Sequence, residues 1–522
     1  MLHNFTNLEL LALPLGDISS PIPVSIHPNS SLFQLHHLHT LNLDNNYFNP
    51  SSIPNGIGRL RNLRHLKLSG FDGKIPTEIS YLSNLVSLDL SNGYELQLDE
   101  RTFEAMFQNF TNLEILSLYY VNISSPNISS SLTELDISYT GISGSIPDSI
   151  GTLKSLNILR LQECQLSGSI PDSIGNLTQI RELDLSNNHF TGHIPSTISK
   201  LKHLRILYLS DNSFSGEIPD VFSNLKELRF LHISHNSFSG EIPDVFSNLK
   251  ELRYLLLSDN SFSGEIPDVF SNLKELRYLR LSENSFIGPF PASILNLTHL
   301  EYLDMSSNSL SGPLPSNPSM LQNLTYVDLS YNSLNGTIPS WVFSLPLLPS
   351  LSLQHNRFRG LADEVIKTNP TLRELHLSNN QLSGSFPQSL VNLTNLEILG
   401  ISSNNITIDE GMNITFLSLS SLFLSYCQLK DFPHFMRNVK TLVYLDISNN
   451  KIRGQIPDWF SGMSGFTWES VVIGYSFGLV VGTVMWSLMF KYRKPKWFVE
   501  FFDGLMPHKR RRPKKRPQRR RT

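Results

Sequence analysis

Apolar and polar positions along this chain fall into a frame that returns every 24 residues. From Leu132 the frame reads L-x-x-L-x-L-x-x-N, with leads at Leu132, Leu156, Ile180, Leu204, Leu228, Leu252, Leu276, Leu300, Leu324, Leu348, Leu372 and Leu396. Looser copies lead at Leu8, Leu38, Leu63, Leu85 and Leu113 before this run and at Leu419 and Leu442 after it, for 19 in all. The L-x-L core has the two-residue period of a short strand with its leucines on one face. One copy cannot enclose those leucines alone, so stability must come from stacking on neighbours. The expected architecture is an α/β solenoid in which each turn gives one strand to a parallel β-sheet on the concave face.

The ninth position of the frame is Asn from Asn188 to Asn404 in every copy. A polar residue beside a buried core must be hydrogen-bonded, and backbone carbonyls and amides at the turn are the expected partners. Cys164 and Cys427, the only two cysteines, occupy this position and read as structural thiols too far apart to bridge. Two cysteines build neither a disulfide framework nor a four-cysteine metal site. Four residues after the ninth position, glycine recurs from Gly144 to Gly384, as expected where the backbone needs positive φ or turns approach closely. Ile-Pro follows, as at Ile218-Pro219, so the returning side of each turn is expected to be irregular, extended or short helical structure.

The motif L-x-G-x-I-P, seen in LSGSIP at 166–171 and LNGTIP at 334–339, resembles the plant-specific class of extracellular leucine-rich repeats. That resemblance implies a leucine-rich-repeat horseshoe. Three copies of SFSGEIPDVFSNLKELR, starting at Ser213, Ser237 and Ser261, are identical and point to duplication.

Charge divides the chain. Its 42 Lys and Arg against 45 Asp and Glu give a net −3, yet residues 491–522 hold 14 basic residues against Glu500 and Asp503. The tail is therefore +12 and the body −15, which is not the profile of a nucleic-acid binder. Before the tail, residues 470–490 are 21 uncharged positions, long enough as a helix to cross about 30 Å of hydrocarbon. A transmembrane helix is expected there, since a solenoid has no place for a buried helix of that length. Lys491, Arg493, Lys494 and Lys496 follow at once, which places the tail in the cytoplasm and the repeats outside. The expected division is repeats over 1–460, a linker over 461–469, the span over 470–490 and a basic tail over 491–522, in a single-pass type I plasma-membrane protein. Twelve N-x-S/T sequons, at Asn4, Asn29, Asn109, Asn122, Asn127, Asn176, Asn296, Asn323, Asn335, Asn392, Asn405 and Asn413, all precede the span and are candidate glycosylation sites. Ser470, Gly474, Gly478 and Gly482 share one face of the expected helix, a small-residue surface for contact with another helix. The run over 509–521 can attract the anionic inner leaflet; it also matches a nuclear-targeting pattern, and beside a membrane anchor the lipid reading takes precedence.

This layout resembles plant receptor-like proteins, whose tail here opens with K-P-K-W-F at 494–498. The resemblance implies perception of pathogen or developmental signals and signalling through a partner receptor kinase, because the short tail has no room for a kinase. The chain departs from the family in its opening MLHNFTNLELLAL, which reads as repeat rather than signal peptide, and in lacking paired-cysteine caps. Those departures raise the expectation of a truncated product.

Catalytic patterns are sparse. G-x-S-x-G at 474–478 falls inside the expected span, where a nucleophile elbow has no strand-turn-helix context. His36, His37 and His39 read as a solvated turn rather than a metal site. No enzyme activity, metal or cofactor is expected. Binding fits better, because residues between the buried leucines project from the concave sheet in columns. The third position carries Phe230, Tyr254, Tyr278, Tyr302 and Tyr326; the fifth carries Tyr208, His232, Arg280, Asp304 and Asp328. An exposed aromatic column flanked by polar groups suits an extracellular peptide or protein ligand, while tyrosines that merely stack to cover the sheet remain the competing reading. The alternatives are a non-catalytic inhibitor or structural module and a non-functional fragment.

Overall fold

The computed structural model describes residues 8–12, 26–44, 51–91, 96–123, 131–316, 320–361, 369–387, 390, 392–408, 416–453, 457 and 471–472. Each frame copy contributes a three-residue strand, from Leu10–Ala12 to Tyr444–Asp446. Consecutive strands pair in parallel without slippage: Ile206, Phe230, Tyr254, Tyr278, Tyr302 and Tyr326 are aligned partners, as are Tyr208, His232, Leu256, Arg280, Asp304 and Asp328. The register holds because a one-residue slip would turn the buried leucines outward; Leu228, Leu231 and Ile233 are each 0% exposed.

The ladder asparagines tie turn to turn. Asn236 Nδ2 donates to Ile233 O and Ser234 O in its own turn and to Leu209 O in the turn before, at 3.2, 3.1 and 2.9 Å. Its Oδ1 accepts from Phe214 N at 2.9 Å. One side chain thus bonds four backbone groups at the turn, one of which, Ser234 O, also accepts from Asp211 N at 3.1 Å. The same pattern recurs from Asn188 to Asn404 and again at Asn450. Cys164 and Cys427 are buried free thiols; Cys164 Sγ donates to Ile137 O at 3.0 Å, and burial pushes both thiols above their ordinary pKa.

The returning side is more ordered than expected. Short second strands, such as Ser213–Gly216, Ser237–Gly240 and Ser261–Glu265, join a six-stranded parallel sheet, and 3-10 helices such as Asp220–Asn224 and Asp244–Asn248 follow the proline in many of the described turns. Phe190, Phe214, Phe238, Phe262 and Phe286 stack through the core at 5.9 to 6.3 Å between ring centres. The recurring glycines adopt positive φ as expected, and the floor they leave is used: a Cβ on Gly240 would lie 2.7 Å from Glu217 Cγ. Gly360 departs, because the pairing of Ser333–Ile338 with Arg357–Leu361 slips between Gly336 and Thr337. The α-helix Glu100–Asn109, capped by Asp99, fills the long interval between Leu85 and Leu113.

Val471–Val472 forms a short strand parallel to Tyr444–Asp446, where the sequence predicts the start of a helix. The last repeat offers an open sheet edge, and unpaired amides and carbonyls there accept an added strand. The rest of 470–490, with Ser470, Gly474, Gly478 and Gly482, and the tail lie outside the described residues. Among the described residues no helix is long and apolar enough to cross a membrane.

Candidate functional site

Third-position side chains on adjacent strands stand about 4.8 Å apart, close to the stacking distance of aromatic rings. The rings use that match. Centroids of Phe230 and Tyr254, Tyr254 and Tyr278, Tyr278 and Tyr302, and Tyr302 and Tyr326 lie 4.6, 4.7, 5.7 and 4.3 Å apart with planes 4 to 23° off parallel. Tyr208 extends the row diagonally, its ring 4.9 Å from Phe230. The column expected to be exposed is a half-buried stack in which only Tyr326 passes into the exposed range, at 36%. Each ring shields its neighbour and presents an edge. Burial raises the hydroxyl pKa of Tyr208, Tyr302 and Tyr326, so all three stay neutral donors at any physiological pH.

Beside the stack, the fifth-position column changes character along the sheet. His232 packs edge-on to Tyr208, and burial pulls it down to about 4, so it is a neutral imidazole. Arg280 Nε pairs with Asp304 Oδ2 at 3.3 Å. Asp304 is 5% exposed, contrary to the expectation that it projects freely, because its Oδ1 caps Ser306 N and Oγ at 3.1 and 2.7 Å. Asp328 does the same for Ser330 N at 2.9 Å, and desolvation raises its pKa. Both carboxylates close their turn with Oδ1; the other oxygen of Asp304 pairs with Arg280, and that of Asp328 accepts from Tyr326 Oη at 3.5 Å.

Sequence reasoning missed the eighth position. Asn187, Asp211, His235, Asp259, Glu283, Ser307, Tyr331, His355, Asn379 and their described non-glycine equivalents have φ between 52 and 65°. The signal was available, since Asn, Asp and His are enriched in left-handed conformation. This column edges the sheet with exposed polar contacts: His235 Nδ1 lies 2.6 Å from Asp259 Oδ2, and Tyr331 stacks on His355 at 4.1 Å. A cleft of ≈ 610 Å³ opens at the opposite, strand-start edge, lined among others by His39, Asn62, Arg64, Asn84 and Glu114. Among the described residues no cluster of three or more His, Cys, Asp or Glu could hold a metal ion.

Of the sequons, Asn29, Asn109, Asn176, Asn296, Asn323 and Asn405 are exposed, and Asn335 and Asn392 are half-buried. Asn122 begins the strand Asn122–Ile123, while Asn4, Asn127 and Asn413 lie outside the described residues.

Several known proteins similar to this chain are plant receptors. The family described as leucine-rich repeat region matches residues 137–266 and 267–456, more than half of the chain, and a further leucine-rich repeat matches 37–60. Receptor-like protein 9DC1 of Solanum pimpinellifolium is 38% identical over 161 residues, 30% of this chain and 18% of that protein. The matched segment therefore spans less than a fifth of that curated relative. Among solved structures, the plant peptide hormone receptor RGFR1 in complex with RGF2 is similar with a TM-score of 0.75 at 31% identity, covering 89% of this chain and 78% of that one. The Arabidopsis receptor kinase HAESA in complex with the peptide hormone IDA and the co-receptor SERK1 is similar with a TM-score of 0.64 at 30% identity, covering 88% and 85%.

Proposed function

Because the chain belongs to the leucine-rich-repeat family, in its plant receptor-like branch, we propose that it is a non-catalytic cell-surface receptor whose long sheet holds an extended extracellular peptide or protein segment. The observation that carries this reading is the aromatic stack from Phe230 to Tyr326. Its ring edges give a ligand large contact area at low cost in side-chain entropy. Tyr208, His232 and Arg280 alongside give polar definition, with Asp304 holding Arg280 and Asp328 holding Tyr326. The peptide complexes of RGFR1 and HAESA support a ligand of this class.

Residues 470–490 anchor the chain as a single span in the plasma membrane, Val471–Val472 leaving the sheet edge to enter it, with the repeats outside and the basic tail against anionic lipid. Ser470, Gly474, Gly478 and Gly482 form the face that packs on a partner receptor kinase, through which the bound signal, in defence or development, reaches the cell interior. The exposed sequons carry glycans.

The test uses the full tagged chain in plant cells. Replacing Tyr254, Tyr278 and Tyr302 together with alanine abolishes capture of peptides from extracellular fluid, while glycosidase treatment still increases gel mobility as in the parent. Capture at the parental level removes the stack from the reading. Gly478→Leu abolishes co-purification of the kinase with surface delivery intact, and a kinase that still co-purifies removes the helix contact.

A further inference from the structure

Three consecutive repeats, led by Leu113, Leu132 and Leu156, break the frame together. Val121, Thr140 and Cys164 stand where the ladder has Asn. Tyr119 stands at the seventh position, which is serine in most other copies, and Tyr120 and Tyr139 take the eighth position with φ of 65 and 58°. Tyrosine is not among the residues that favour this conformation, yet it takes the position in these two consecutive turns, as it does elsewhere only singly at Tyr331 and Tyr426 among the described residues. The three rings pack on one another with centroids 4.7, 4.9 and 4.8 Å apart, and Tyr120 keeps 50% of its surface open. The cluster is held from one side: Tyr139 Oη accepts from Gln162 Nε2 at 3.2 Å, and its pKa is pushed up to about 12 by burial and by the Glu163 carboxylate beside it.

The charge around these rings is one-sided. Arg160 is shared by Glu134, Asp136 and Glu182, at 3.0, 3.8 and 2.6 Å, so three carboxylates meet one guanidinium. Glu163 is exposed and makes no ion pair among the described residues. An open aromatic face beside excess carboxylate is complementary to a cation, since the ring quadrupole and the carboxylate attract it together.

We propose that the patch formed by Tyr119, Tyr120, Tyr139 and Glu163 is a second docking surface, for an extended segment of a protein partner that places an arginine or lysine over the Tyr120 ring and against Glu163. It is separate from the stack at Phe230–Tyr326 and stands whether or not that stack binds a ligand.

The experiment uses the full chain purified in detergent and short fluorescent peptides that alternate glycine with arginine, lysine, leucine or glutamate, read by anisotropy at physiological salt. The arginine and lysine peptides bind; the leucine and glutamate peptides do not. Tyr120→Ala weakens the arginine peptide by about fivefold, Tyr120→Phe retains it, and Glu163→Gln weakens both basic peptides. Because Tyr120 is half open, its truncation leaves the core intact, and an unchanged circular dichroism spectrum verifies this. The triple alanine variant at Tyr254, Tyr278 and Tyr302 leaves basic-peptide binding unchanged, which separates this surface from the other. Parental affinity of Tyr120→Ala for the arginine peptide overturns the proposal by reducing the binding to diffuse attraction toward an acidic body. A leucine peptide bound as tightly as the arginine peptide overturns it as well.

Discussion

In the repeats led by Leu204, Leu228 and Leu252, each ladder asparagine bonds four backbone groups across two turns; in those led by Leu113, Leu132 and Leu156, the same position is Val121, Thr140 or Cys164 and makes at most a few weaker contacts. Thr140 Oγ1 reaches only Ile137 O at 2.8 Å and the Cys164 thiol at 3.5 Å. In the first region consecutive sheet-face residues become a column of parallel rings, because identical turns repeat at ring-stacking distance. In the second, rings gather at the sheet edge, with Tyr119 edge-on to Tyr120 and Tyr139 and those two stacked on each other. Uniform turns thus build a long continuous face, and broken turns build a local one. Both surfaces rest on the same leucine core, which runs unbroken through the two regions.

Three comparisons would sharpen or break this contrast. The largest effect is expected from Asn236→Ala, which strips Nδ2 from Leu209 O, Ile233 O and Ser234 O and leaves Phe214 N without an acceptor. Burying unpaired backbone groups costs about 2–4 kcal/mol, whereas Thr140→Val removes a hydroxyl contact worth about 1 kcal/mol. Urea unfolding of the two variants measures the difference, and equal losses would mean the ladder adds nothing special to the regular region. Next is Gly240→Ala against Gly312→Ala. Both glycines have positive φ, but an added Cβ meets Glu217 Cγ at 2.7 Å only at Gly240, and open space at Gly312. The left-handed conformation alone costs alanine about 1 kcal/mol, so thermal unfolding should show Gly240→Ala as the worse of the two by the displaced Glu217 side chain. The smallest effect belongs to His232. Its folded pKa, about 4, lies below the ordinary 6.5, so the unfolded chain takes up the proton first. The neutral, half-buried imidazole costs nothing above pH 6.5 and destabilises progressively as pH falls from 6.5 toward 4. His232→Gln should therefore lose less stability than the parent between pH 7 and pH 5, and identical pH profiles would show that the ring is solvated.

Much of the fold was legible because its determinants recur along the chain. Leu231 had to be buried, Asn236 had to find backbone partners, and Gly240 had to take positive φ; each is a local demand repeated at the same place in every turn. Less of the candidate site could be read. Tyr254 and Tyr278 were placed on one face by their period, but their mutual stacking and half-burial depend on the spacing between turns. Asp304 looked like a free surface charge until its carboxylate was seen closing the turn onto Ser306. The eighth position, with Tyr120, Tyr139 and His235, escaped notice because its residue types vary while its backbone does not.

The sequence by itself determined the solenoid, its period, its buried leucines and its polar ladder, since each follows from which residues water rejects and which backbone groups a turn leaves unpaired. Only the tertiary structure decided the second sheet on the returning side, the phenylalanine column from Phe190 to Phe286, the irregular step at Gly336 and Thr337, and which aromatic rings touch. Those features arise between turns, where the distance from one strand to the next, and not the order of residues along it, sets what meets what.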